Sequence, residues 1–188
     1  MLDLTHDLDI PVFAGVSRRI NGPSEDLIVS FGAHLDPTIA LTRALTETNQ
    51  FLPALSRTKA DGTTAYMYAD PDAIEWWKTA TIANQPYVAP DTRSTARTRE
   101  QLPSVATADL KLDIEMLVSG LAERGLEVLV LDQTRADVGF PVVKVVVPGL
   151  RHFWRRLGPG RLYEVPVERG WLPAPPREAD LNPMSMFF

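Results

Sequence analysis

Proline restricts this chain more than any other residue. Sixteen prolines occur in 188 residues, and they gather at 86–103 and 166–183. The ring fixes φ and removes a backbone donor, so proline neither continues a helix nor sits in a central strand. The two rich stretches therefore read as loops or extended arms. Regular structure is left to the intervals around them, which carry no internal repeat and no low-complexity segment.

In the first interval, residues 10–20 read as a strand, Asn21-Gly22-Pro23 as a turn, and Leu27–Phe31 as a paired second strand. Asp36 then offers an N-cap with Pro37 at the first helical position. The helix is predicted to run to about Leu52, where Pro53 disrupts it. Leu41, Ala44, Leu45, Thr48 and Leu52 form one stripe, the expected core face. Arg43, Glu47 and Gln50 gather on the other side.

Beyond Ser56 the pattern weakens. Asp70 and Pro71 open a short capped helix that carries Trp76 and Trp77. These two, with Tyr66 and Tyr68, read as core or interface aromatics. Arg93, Arg97 and Arg99 stand among serines and threonines, as on mobile surface. Thr107 is the expected cap of another helix, with Leu110, Ile114, Leu117, Val118 and Leu121 on one face and Gly125 at its end. Leu126–Leu131 and Val142–Val147 are near-continuous aliphatic runs, the pattern of strands covered on both faces. The second is expected to be central in its sheet, with Lys144 as the exception. Helix, strand, loop and strand in this order give a mixed α/β (α+β) fold.

Composition narrows the function classes. A net charge of −5 argues against general affinity for nucleic acid or an anionic membrane. The absence of cysteine removes disulfides, thiolate metal sites and a cysteine nucleophile. It is compatible with the cytoplasm. The N-terminus lacks the basic and apolar regions of a signal peptide, and no run of about 18 apolar residues predicts a membrane-spanning helix.

Few residues stand in chemical patterns. His6, His34 and His152 are far apart and in no ligand spacing, so they read as surface or hydrogen-bonded histidines. Gly158-Pro159-Gly160 lacks the lysine and helix of a phosphate loop. Arg151, Arg155 and Arg156 suit either phosphates or solvent. Arg43, Glu47 and Gln50 at i, i+4 and i+7 are more informative. A glutamate and a glutamine on one face are oxygen donors of the kind that hold Mg²⁺ and nucleotide. The same spacing describes a solvated helix face with an Arg–Glu pair, and spacing alone favours that plainer reading.

Several longer tracts add to this. Ala40 to Gln50 resembles the "ALxRALTExxQ" helix of YcaO proteins, and its continuation Asn49-Gln-Phe-Leu-Pro-Ala54 resembles azoline-forming members. Trp76-Trp77 and Asn84-Gln-Pro-Tyr-Val-Ala-Pro90 resemble the insertion that follows that helix. Leu131 to Leu150 resembles the family's "LDxTRxDxGxPVVxVVVPGL" tract, and Gly160–Val167, Gly170-Trp171 and Leu181–Pro183 its C-terminal stretch.

The resemblance implies an ATP- and Mg²⁺-dependent cyclodehydratase. Such enzymes convert Cys, Ser or Thr of a ribosomal precursor peptide into azolines. The side chain attacks the preceding amide carbonyl, ATP phosphorylates the resulting oxygen, and phosphate leaves. By similarity Glu47 faces the metal, and Glu47, Gln50 and, less directly, Arg43 face the nucleotide. A leader-peptide-binding E1-like protein and a flavin dehydrogenase are the partners implied, in the cytoplasm. Three features depart from the pattern. The upstream Ser-xxx-Glu-xx-Glu-Arg motif has no counterpart here. No arginine follows Gln50, and the terminus lacks Pro-x-Pro-x-Pro. Residues 1–188 are therefore expected to form the C-terminal portion of a YcaO domain, with 165–188 a proline-punctuated tail and an N-terminal half as a further partner. Thioamide or amidine formation, and a truncated, non-catalytic piece that binds a peptide or partner, are the rival readings.

Overall fold

A computed structural model describes residues 1–151 and 159–181. Two units divide the chain, Met1–Ala106 and Thr107–Pro183. The first holds strands β1 (Leu2–Asp3), β2 (Val12–Ser17) and β3 (Ile28–Ala33), then helices α1 (Pro37–Leu55) and α2 (Pro71–Thr79). The strands form one antiparallel sheet in the order β1-β2-β3, with Ala14 opposite Phe31 and Gly15 opposite Ser30. The expected pair of strands is present, and β1 was not foreseen.

The register sends Phe13, Gly15, Ser30 and Gly32 to one face of the sheet. Helix α1 lies against that face at very short range. A β-carbon at Gly32 would stand 2.5 Å from Ala44 N and still nearer Ala40 O. One at Gly15 would stand 2.6 Å from Ser30 Oγ and 2.8 Å from Thr48 Oγ1. On the helix side the contact is made by Ala40 and Ala44, both fully buried. Ser30 Oγ donates to the Ala44 carbonyl at 2.8 Å and meets Thr48 Oγ1, so the one buried hydroxyl on this face of β3 is satisfied.

This contact bears out Leu41, Ala44 and Thr48 of the predicted face of α1 and corrects the rest. Leu45 and Leu52, assigned to the core stripe, are 51% and 42% exposed. Backbone proximity decides the orientation, and it selects small residues over large ones. Pro53 also fails to end the helix at Leu52. The last turn is held because Ala54 and Leu55 are buried with Leu27, Ile28 and Trp77, and packing can override local propensity.

Helix α2 opens as predicted: the Asp70 side chain accepts from Asp72 N at 2.8 Å, with Pro71 at the first position. Trp76 and Trp77 are core residues. Trp76 Nε1 donates to the Leu27 carbonyl at 2.8 Å, and Tyr66 stacks on Trp77 with ring centroids 6.2 Å apart. Arg93, Arg97 and Arg99 are exposed, as expected of surface, and two of them also have distant partners. Arg97 pairs with Asp3 at 2.8 Å, and Arg99 donates to Thr38 and to the Leu102 carbonyl. Leu102 is buried beside Phe13, Ala40 and Ala44.

A buried carboxylate ties this unit together. Asp26 is 4% exposed and has a positive φ of 44°, unusual outside glycine and held here by its surroundings. Its oxygens accept from Arg19 at 2.7 Å, Ser24 at 2.7 Å, Tyr66 at 2.8 Å and Thr64. Arg19 also donates to the Leu55 carbonyl at 2.7 Å. Burial pushes the acid's pKa up, but the bonds from Thr64, Ser24, Arg19 and Tyr66 outweigh it, and the net shift is downward.

In the second unit are α3 (Leu110–Ala122), β4 (Leu129–Asp132), β5 (Val143–Val146) and α4 (Arg161–Glu168). The cap of α3 is Asp109, which accepts from Lys111 N at 2.8 Å, rather than Thr107. Leu110, Ile114 and Val118 of its predicted core face are exposed. Strands β4 and β5 form an antiparallel two-stranded ribbon, Val130 opposite Val145. Val143–Val146 is thus neither central nor covered: the six aliphatic residues of the ribbon are 44 to 62% exposed. Nothing among the described residues supplies the cover that the sequence pattern demands. Lys144, in an exposed strand, needs no buried partner. His152, Arg155, Arg156 and the C-terminal 182–188 lie outside the described residues.

Two outcomes test this account. Gly32→Ala should destabilise the chain by about 1–3 kcal/mol through overpacking, measured by urea denaturation. Asp26 should contribute stability fully above the ordinary aspartate range near pH 3.9. The folded form ionises at lower pH than the unfolded one, so that stability is lost as pH falls through the folded-state value. Asp26→Asn should flatten the fall in Tm below about pH 4 and lower Tm at pH 7, because Arg19 loses its counter-charge.

Candidate functional site

The outer edge of β3 and the adjoining rim of α1 bring the candidate residues together. In an antiparallel pair, alternate residues point their N–H and C=O groups away from the partner strand. On β3 these are Val29, Phe31 and Ala33, since Ile28, Ser30 and Gly32 face β2. Two of the outward groups are engaged by α1. Phe31 N–H donates to Glu47 Oε2, and Arg43 Nη1 donates to the Ala33 carbonyl at 2.8 Å.

The polar face is therefore arranged differently from its expected form. Glu47 does not stand opposite the core; it is half-buried where helix meets strand. Among the described residues Arg43 and Glu47 form no ion pair, each turning to the strand instead. Gln50 lies one turn on and is exposed. The surrounding helix surface is polar: Thr42 Oγ1 donates to the Thr38 carbonyl and Thr46 Oγ1 to that of Arg43. Sequence reasoning missed the two main-chain groups of β3. Gly32 was the available signal, since glycine within a strand often marks a close backbone approach.

The described histidines are engaged in local hydrogen bonds instead. His6 Nδ1 lies 3.0 Å from Asp7, and His34 Nδ1 accepts from Asp36 N at 2.9 Å. Both bear out the plain reading of hydrogen-bonded histidines. Among the described residues no group of three or more His, Cys, Asp or Glu could hold a metal by itself. No described helix is long and apolar enough to cross a membrane.

The sequence of residues 1–151 matches the family model described as YcaO cyclodehydratase, ATP- and Mg²⁺-binding. The chain belongs to the YcaO family. A heterocyclase solved in complex with substrate and cofactor superposes with a TM-score of 0.88 at 48% identity, over 99% of this chain and 24% of that one. The heterocyclase TruD gives 0.85 at 46% identity, over 99% and 24%. An uncharacterised protein of Methanothermobacter thermautotrophicus is 32% identical over 156 residues, which are 81% of this chain and 39% of that protein. The chain thus spans well under half the length of these relatives.

A hard cation is compatible with the donors present. Mg²⁺ takes oxygen ligands and is commonly held by one or two carboxylates, with substrate phosphates completing the shell. One half-buried carboxylate and one amide on adjacent turns suit that partial role. Arg43→Met should leave the Ala33 carbonyl without its donor and cost about 1 kcal/mol, measured by urea denaturation.

Proposed function

We propose that this YcaO chain supplies one side of the nucleotide site of an ATP-dependent cyclodehydratase acting on a ribosomal precursor peptide. The observation that carries the reading is Glu47, a carboxylate held at the β3 edge within the tract that resembles the family's nucleotide helix. In this reading Glu47 holds Mg²⁺, and Gln50 reaches the nucleotide. Arg43 fixes the end of β3 through the Ala33 carbonyl and sets the border of the site. ATP, bound with Mg²⁺, supplies the phosphoryl group that makes the peptide amide oxygen a leaving group. Formation of azolines from Cys, Ser or Thr belongs to the same proposal, as do a leader-binding protein as partner and the cytoplasm as location.

One side of the site is not a whole site. Phosphoryl transfer relies on several charges preorganised around Mg²⁺ and the phosphates, and α1 offers one carboxylate and one amide. The exposed aliphatic ribbon β4–β5 supports the same conclusion, because a two-stranded ribbon is marginal in water without further strands or a helix over it. We assign both completions to the N-terminal portion of a YcaO domain.

Phosphate release is the deciding measurement. Residues 1–188 alone should release none above background. Added N-terminal portion of a close relative should restore precursor-dependent release, and Glu47→Ala should remove it. Turnover by the isolated chain would refute the shared site. Silence in the mixture would favour a non-catalytic peptide-binding role.

A further inference from the structure

The carboxylate of Glu47 is placed by a main-chain group rather than by a side chain. A free glutamate on a helix samples many rotamers, and ordering one costs conformational entropy. Here Phe31 N–H donates to Oε2, so part of that ordering precedes any ligand. The donor is itself rigid. Phe31 lies between Ser30, bonded to the Ala44 carbonyl at 2.8 Å, and Gly32, seated against Ala40 and Ala44. Strand and helix therefore cannot slide without moving both ends of the bond. Metal-ligating carboxylates are oriented in general by such outer hydrogen bonds.

We propose that Phe31, through its backbone N–H, is a positioning residue for the metal-holding carboxylate of Glu47. The proposal rests on the reading of Glu47 as the Mg²⁺ ligand. It assigns the outer edge of β3 a task besides bounding the sheet: it orients one ligand through Phe31 while Ala33 anchors Arg43 beside it. A strand added at this edge would compete for both groups.

Proline at an outward-facing edge position removes the donor and leaves the ladder to the neighbouring strand intact. Phe31→Pro is therefore compared with Phe31→Ala, which carries the same loss of the ring. The probe is Mn²⁺ with ATP, added to the ¹⁵N-labelled chain of residues 1–188. Paramagnetic broadening of the Gly32 and Thr46 amides reports occupancy even when binding is weak. Broadening is expected in the wild-type chain and in Phe31→Ala, with Phe31→Pro needing about tenfold or more Mn²⁺–ATP for the same effect. Equal titrations of the two variants would overturn the positioning role and leave the metal reading standing. No broadening at these amides in the wild type would overturn both.

Should Phe31→Pro not fold, Glu47→Asp carries the test. It keeps the charge one methylene short of the amide. Phe31 should lose its hydrogen-exchange protection and the broadening should weaken together. Full broadening without that protection would sink the proposal.

Discussion

Helix α1 meets the β2–β3 face with almost no side-chain layer between them. Gly15 and Gly32 on the strands face Ala40 and Ala44 on the helix, so backbone packs nearly on backbone. Side-chain contacts tolerate repacking, whereas backbone atoms have no rotamers with which to yield. The short distance lets Glu47 and Arg43 reach around the rim to Phe31 and Ala33. A sheet one methyl group further away would leave both side chains in solvent. The geometry of the site is thus a consequence of how little lies beneath it.

The Asp26 cluster and the aromatic group around Trp77 support the other end of the same helix. Arg19, bonded to both Asp26 and the Leu55 carbonyl, joins the carboxylate to the last turn of α1. Trp77 lies beneath that turn with Phe51, Tyr66 and Tyr68 around its ring. Pro53 would weaken an isolated helix here, and the turn persists because its far side is packed.

Much of the first unit was legible in the sequence. Asp36-Pro37 and Asp70-Pro71 mark two helix starts in chemistry that needs no tertiary context. The turn at Asn21–Pro23 separates two strands that do pair. The facing of α1 was legible only in part: Leu41, Ala44 and Thr48 of the expected stripe do meet the sheet, but hydrophobic periodicity weights Leu45 and Leu52 above Ala40. A close backbone contact reverses that order, and its trace is two glycines rather than an apolar stripe. The candidate residues Glu47 and Arg43 were singled out by helical spacing and favoured by tract resemblance, but their partners are main-chain atoms, which every residue carries and no pattern advertises. In the second unit, the aliphatic runs at 126–131 and 142–147 were read as needing cover on both faces. Leu126 is buried, but the strand residues that follow it and those of β5 are open among the described residues, so that reading named a requirement and mistook it for an arrangement.

The loop between α1 and Thr64 rises from two anchored feet. Leu55 is tied to Asp26 through Arg19, and Thr64 and Tyr66 bond Asp26 directly. Between them Lys59 N–H donates to the Thr63 carbonyl at 2.8 Å, and Gly62 turns the chain with φ of 83°. The tip at 59–62 is exposed throughout. Since both feet are secured by one carboxylate, continuity of the peptide across the tip adds little to holding them. The tip is accordingly a place where the polypeptide can be lengthened, labelled or cut while the helix rim bearing Glu47 keeps its shape.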